Sequence, residues 1–197
     1  MLKFLIAALL ALPAVAYAQA IPETPAPVGS FTGEMVYLDD TSQIFPLHVA
    51  IPPGGLVPHD RSLFGWSAVP EINVFKRVGL QGDIGSLYMR SVYPGQTRFT
   101  MAAGPKITFV PHSPFTPFVY AEGGEMRYSV QYHSDKTWMP VAKGGIGFDY
   151  RITPGFGVTL VPAEYMATYQ DTRTWNNSFE ARFGITFNLL ARKSYLW

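Results

Sequence analysis

From Trp175 onward the side chains alternate with little interruption. Phe179, Ala181, Phe183, Ile185, Phe187 and Leu189 share one parity; Ser178, Glu180, Arg182, Gly184, Thr186 and Asn188 share the other. Successive side chains of a strand point to opposite faces, so this pattern predicts a ribbon that is apolar on one side and polar on the other. The same split recurs from Thr97 to Val110, where Phe99, Met101, Ala103, Pro105, Ile107 and Phe109 oppose Arg98, Thr100, Ala102, Gly104, Lys106 and Thr108. It returns from Val141 to Ile152, with Ala142, Ile146, Phe148, Tyr150 and Ile152 against Lys143, Gly145, Gly147, Asp149 and Arg151. Counting weaker stretches, eight strands are expected, at about 31–38, 62–74, 77–90, 97–110, 115–130, 139–152, 155–170 and 175–190. They are long: strands of globular proteins usually have about 5 to 6 residues, whereas a tilted strand crossing a bilayer needs roughly 9 to 11.

The connections alternate in length. Lys76-Arg77, Pro111-His112-Ser113-Pro114 and Thr153-Pro154-Gly155 read as tight turns. Asp39 to Arg61 is a long Pro-rich stretch, and the connections near Ser91 to Gln96, Gln131 to Trp138 and Asp171 to Thr174 are polar and longer. An even number of strands, short turns at one end and longer loops at the other predict an all-β fold: an eight-stranded, up-and-down antiparallel transmembrane β-barrel.

Alternation alone does not say whether the apolar face lines a soluble core or meets lipid. The polar face bears on that choice, because it is rich in glycine and carries charges at mid-strand. In a soluble lipocalin-like barrel those charges face water; in a membrane barrel they face a narrow lumen and must pair to offset desolvation. The near balance of acids and bases on this face favours a paired lumen, and its glycines suit a bore barely wide enough for side chains. The expected lumen network is Glu71, Asp83, Lys106, Glu122, Glu125, Arg127, Lys143, Asp149, Arg151, Glu180 and Arg182. Two strands need a bulge to keep their acids out of hydrocarbon. One at Gly123-Gly124 turns Tyr120 and Glu122 inward before it and Glu125 and Arg127 after it; one at Pro162 leaves Glu164, Met166 and Thr168 inward. Phe64, Trp66, Phe118, Tyr128, Tyr150, Phe156, Tyr169 and Trp175, near strand ends, are expected to form aromatic girdles at the membrane boundaries.

Export is the expected route to that membrane. Met1 to Ala20 has Lys3, an apolar run from Phe4 to Val15 and two A-x-A sites, Ala16-Tyr17-Ala18 and Ala18-Gln19-Ala20. The run is shorter than the roughly 20 residues of a membrane-spanning helix, so residues 1–20 read as a cleaved signal peptide. Residues 21–30 read as a Pro-rich periplasmic linker and 31–197 as the barrel domain. Cleavage leaves 14 bases against 14 acids, since Lys3 is the one charge removed from the original 15 and 14. That balance gives no reason to expect nucleic acid as a partner. The absence of cysteine excludes disulfides, thiolate metal sites and a cysteine nucleophile.

The stretches MAAGPKITFV, FTPFVYAEGGEMRY, AKGGIGFDYRITPGFGVTLVPAEYMATY and WNNSFEARFGITFNL, with a weaker match through GWSAVPEINVFKRVGLQGDIG, resemble a small outer-membrane β-barrel family of Gram-negative cells. In form it is similar to the OmpA/OmpX-type eight-stranded barrels and to porin-family-like outer-membrane domains. The resemblance implies a cell-envelope protein of the outer membrane, surrounded by membrane lipid and lipopolysaccharide, inserted by the barrel-assembly machinery and present as a monomer. The family usually ends at an aromatic of the last strand. Here Phe187 is followed by LLARKSYLW, so either Trp197 is that aromatic on an extended strand or the tail is an extra segment.

Candidate chemistry is sparse. His48, His59, His112 and His133 lie in expected loops or turns without i, i+2 or i, i+4 spacing, so no metal site is expected. The barrel family of lipid A deacylases carries a His-x-Ser element in the strand that here is the seventh, where this sequence has Pro162 to Ala167, with neither residue; His133 and Ser134 are adjacent, so on an extended chain they point apart. Carboxylate pairs such as Glu122 with Glu125, or Glu164 with Asp149, are read as lumen ion pairs rather than acid–base machinery. No cofactor is implied. The expected role is non-enzymatic, structural or in surface interaction through the loops, with a lumen plugged by paired charges. A narrow pore for ions or small solutes is the alternative, and a lipid A-modifying enzyme a third.

Overall fold

The computed structural model describes residues 27–39, 62–89, 96–130, 136–169 and 175–191. Eight strands run in chain order: β1 (Pro27–Asp39), β2 (Ser62–Asn73), β3 (Val78–Met89), β4 (Gln96–Thr108), β5 (Phe115–Val130), β6 (Lys136–Thr153), β7 (Phe156–Tyr169) and β8 (Trp175–Ala191). Each pairs antiparallel with its neighbours in sequence, and β8 returns to pair with β1, so the sheet closes into a barrel. The expected leader, the loops carrying His48, His59 and His133, and Trp197 lie outside the described residues.

The period-two pattern sorts the side chains inside out relative to a soluble protein. On β8, Phe183 is 53% exposed and Arg182 only 4%. Phe99, Met101 and Ile107 of β4 and Phe109 just after it face outward, while Arg98, Thr100, Lys106 and Thr108 are buried. Large apolar side chains thus cover the outer wall, and ionised ones fill the bore. Only hydrocarbon around the wall makes that arrangement favourable, because in water each exposed ring forfeits its transfer free energy while each buried charge still pays desolvation. The fold is an all-antiparallel, eight-stranded transmembrane β-barrel.

One boundary and one register differ from expectation, and a second register agrees with it. β1 begins at Pro27, inside the stretch read as linker, with Pro27 opposite Ala191 and Gly29 opposite Leu189. Proline is compatible with the first position of a strand, where its missing N–H costs little of the ladder. The bulge expected at Gly123-Gly124 is absent: β5 keeps one register against β4 and β6 throughout. The bulge at Pro162 is present, as register shifts between Val161 and Glu164 and, on the other side, between Ile146 and Phe148. Proline has no N–H for the ladder, and the extra residue turns Glu164, Met166 and Thr168 inward, as expected.

Candidate functional site: the lumen

The inward side chains lie in three tiers, each fixed by the inner parity of the strands. The tier nearest the tight turns centres on Lys106 of β4, whose Nζ donates to Glu71 Oε2 and to Asp149 Oδ2, both at 2.9 Å. Ser30 Oγ donates to the same Glu71 oxygen, and Thr159 Oγ1 to Asp149 Oδ1 at 2.7 Å. Thr159, Thr186 and Thr32 continue the chain of hydroxyls to β1. The Lys106 ammonium also lies 3.9 Å from the centroid of the Phe118 ring, a cation–π contact away from water.

The middle tier is built on two cations and four carboxylates. Arg182 Nη2 donates to Asp83 Oδ2 at 2.8 Å, Glu164 Oε1 at 2.7 Å and Glu180 Oε2 at 3.0 Å, and Nη1 reaches Glu34 Oε2 at 3.3 Å. Lys143 Nζ donates to Asp83 Oδ2 at 2.8 Å and lies within 3.4 Å and 3.5 Å of Glu164 and Glu180. Ser67 donates to Asp83, Tyr120 to Glu164, and Gln81 Nε2 to Glu122 Oε1 at 2.8 Å. The two tiers between them take side chains from all eight strands. Such a network tolerates low dielectric because each charge keeps a partner; removing one partner leaves the others uncompensated.

The third tier, towards the loops, is apolar. Leu38, Leu63, Met126 and Met166 have no exposed surface, and they pack with Val36, Leu87, Tyr128, Met139 and Val141. Such a layer excludes water from the polar tiers on that side. Beside the polar tiers a cavity lined by Glu34, Glu71, Gln81, Lys106 and Arg182 among others holds about 10 Å³. That is room for about one water. Glycines make the crowding possible: a Cβ on Gly147 would lie 2.3 Å from the Phe118 ring, and one on Gly184 would lie 2.6 Å from Glu34 Cγ.

Of the expected network, Glu71, Asp83, Lys106, Glu122, Lys143, Asp149, Glu180 and Arg182 converge in the bore. Arg151 sits at its turn-side mouth, donating from Nη2 to the carbonyl oxygens of Pro111, at 2.6 Å, and of Ser113. Glu125 and Arg127 do not belong to it. Without the expected bulge they share the outward parity of β5, and the Arg127 guanidinium lies 5.6 Å from the Phe99 ring and 5.7 Å from that of Trp138. The same unbroken parity turns Phe118 and Tyr128, expected in the girdles, into the lumen, whereas Phe64, Trp66, Tyr150 and Trp175 face outward. The balance of charge also differs: the buried set holds six acids (Glu34, Glu71, Asp83, Glu122, Glu164, Glu180) and four bases (Arg98, Lys106, Lys143, Arg182). Glu34, which continues the parity of Ser30 and Thr32, and Glu164, expected inward, join the residues of the expected network.

No serine–histidine or cysteine nucleophile pair lies among the described lumen residues, and no cluster there of three or more His, Asp or Glu is disposed to hold a metal ion. The carboxylates act as acceptors for Arg, Lys, Ser, Thr, Tyr and Gln.

No protein-family description matches the sequence, and no curated protein matches it. Solved structures do. The chain is similar to Neisserial surface protein A, with a TM-score of 0.65 at 13% identity, covering 83% of this chain and 99% of that one. It is similar also to the N-terminal β-barrel domain of Pseudomonas aeruginosa OprF, with a TM-score of 0.50 at 16% identity over 81% of this chain and 97% of that one. With its closed eight-stranded ladder and inverted polarity, the chain has the fold of the small eight-stranded outer-membrane β-barrels.

Proposed function

We propose that this chain is a non-enzymatic integral protein of the outer membrane, a closed barrel that holds its four longer connections at the cell surface for interaction with lipopolysaccharide or another surface. The observation that supports this reading is the burial of the inward side chains: two charged tiers under an apolar tier in which Leu38, Leu63, Met126 and Met166 have no exposed surface. An aqueous channel needs a wider barrel, of about 16 strands. With the lumen closed, the surface left to act is that of the loops, which a rigid scaffold presents and lets diverge.

The test is to insert the full-length protein into planar bilayers. A silent bilayer in molar salt, with insertion verified independently, is the expected result. Discrete, reproducible single-channel steps would replace the plugged barrel by the narrow pore. Lipid A analysed by mass spectrometry from cells with and without the protein is expected to be unchanged; loss of an acyl chain on expression would make it an enzyme.

A further inference from the structure

At the tight-turn end, the connection between β2 and β3 is unlike the other two. It reads Val74-Phe75-Lys76-Arg77, with Val74 57% and Phe75 70% exposed and both cations exposed beside them. The turn is tied down: the N–H groups of Val74 and Phe75 both donate to the Val78 carbonyl, at 3.0 and 2.9 Å, and the Arg77 carbonyl accepts from Thr108 N–H at 2.8 Å. The two acids closest in sequence, Glu71 and Asp83, are turned into the lumen and engaged there by Lys106, Lys143 and Arg182, so they do not neutralise the turn. Of the other tight turns, Pro154-Gly155 has no Lys or Arg, and the Phe109–Pro114 turn has none either, while Arg151 next to it is spent on backbone carbonyls.

The apolar part of this turn is continuous with the lipid-facing wall, through Ile72, Val78 and Leu80 and, on β4 and just beyond it, Ile107 and Phe109, all exposed. Exposed rings at the end of a membrane wall insert at the headgroup boundary, and adjacent Lys and Arg extend their charged ends to the phosphates there. We propose that Val74–Arg77 is a docking site for anionic phospholipid on the periplasmic leaflet, in which Phe75 enters the acyl boundary while Lys76 and Arg77 hold phosphate-bearing headgroups of negative net charge. It rests on the membrane-spanning reading above, with the tight turns on the periplasmic side.

Native mass spectrometry of the full-length protein, released from detergent after equilibration with equal amounts of phosphatidylglycerol and phosphatidylethanolamine, tests it. The wild type is expected to retain phosphatidylglycerol in about fivefold excess or more, the preference that one or two interfacial cations confer. Lys76→Gln/Arg77→Gln is expected to bring the ratio close to one, while Arg127→Gln, which removes an outward cation near the opposite end, leaves it unchanged. Equal retention by the wild type, or an undiminished excess in the double variant, overturns the proposal with the membrane reading intact. A heat-insensitive protein that retains neither lipid overturns both.

Discussion

Arg182 of β8 and Glu34 of β1 face each other across the seam that closes the barrel, Nη1 to Oε2 at 3.3 Å, while the other nitrogen of the same fork holds Asp83, Glu164 and Glu180. One guanidinium therefore ties the last strand to the first and compensates four buried acids. Arg182→Met is expected to cost about 3 to 5 kcal/mol, the usual penalty for breaking a buried ionic network from one side. The midpoint of urea unfolding in lipid, followed by the mobility shift of the unboiled protein, reads it; adding Glu164→Gln and Glu180→Gln should return part of the loss.

Lys106 is bonded to both Glu71 and Asp149 in the turn-side tier. Lys106→Met is expected to destabilise by a few kcal/mol, somewhat less than loss of Arg182, because Asp149 keeps some contact with solvent. Lys106→Met/Glu71→Gln should be more stable than Lys106→Met. Equal stability of the two would show that the unpaired Glu71 charge is not what the single variant suffers from.

Gly147 lies under the Phe118 ring, with no space for a methyl group. Gly147→Ala is expected to cost about 1 to 3 kcal/mol through overpacking. Phe118→Leu should suppress that cost, a non-additivity visible in a double-mutant cycle of unfolding free energies.

On the outer wall the expectation reverses. Phe183→Leu should be nearly neutral in lipid, whereas Phe183→Arg should cost about 2 to 4 kcal/mol, the penalty for a cation at mid-bilayer depth on a lipid-facing strand. Unfolding measured in vesicles checks this; an unchanged or increased stability of Phe183→Arg would place that face in water.

Much of this was legible in alternation. The parity of β4, β6 and β8 and the difference between short and long connections fixed the barrel, and Pro162 marked its bulge through the missing N–H. Glu125 is harder to place from sequence, because a carboxylate at mid-bilayer depth on the outward face of β5 is costly and the pattern does not give its depth. That strand has 16 residues, and roughly 11 counted from Phe115 suffice to cross a bilayer, which brings Glu125 to the far boundary. There an outward acid is clear of the hydrocarbon. The apolar tier was missed for a related reason: the inner face was read from its mid-strand charges, although continuing the same parity from Glu34 through Val36 and Leu38, or from Glu164 to Met166, would have revealed it. Which carboxylate meets which cation depends on the stagger between strands, and no single strand's pattern encodes that.

The central claim is that the ring-bearing wall touches acyl chains. The chain has no cysteine, so Phe183→Cys and Ile185→Cys each give a unique site for a nitroxide label in the protein folded into lipid vesicles. Power-saturation measurements should find both labels relaxed strongly by oxygen and weakly by a water-soluble nickel chelate. Strong relaxation by the chelate and weak relaxation by oxygen at both positions would mean that water surrounds the barrel, contradicting the account at its base.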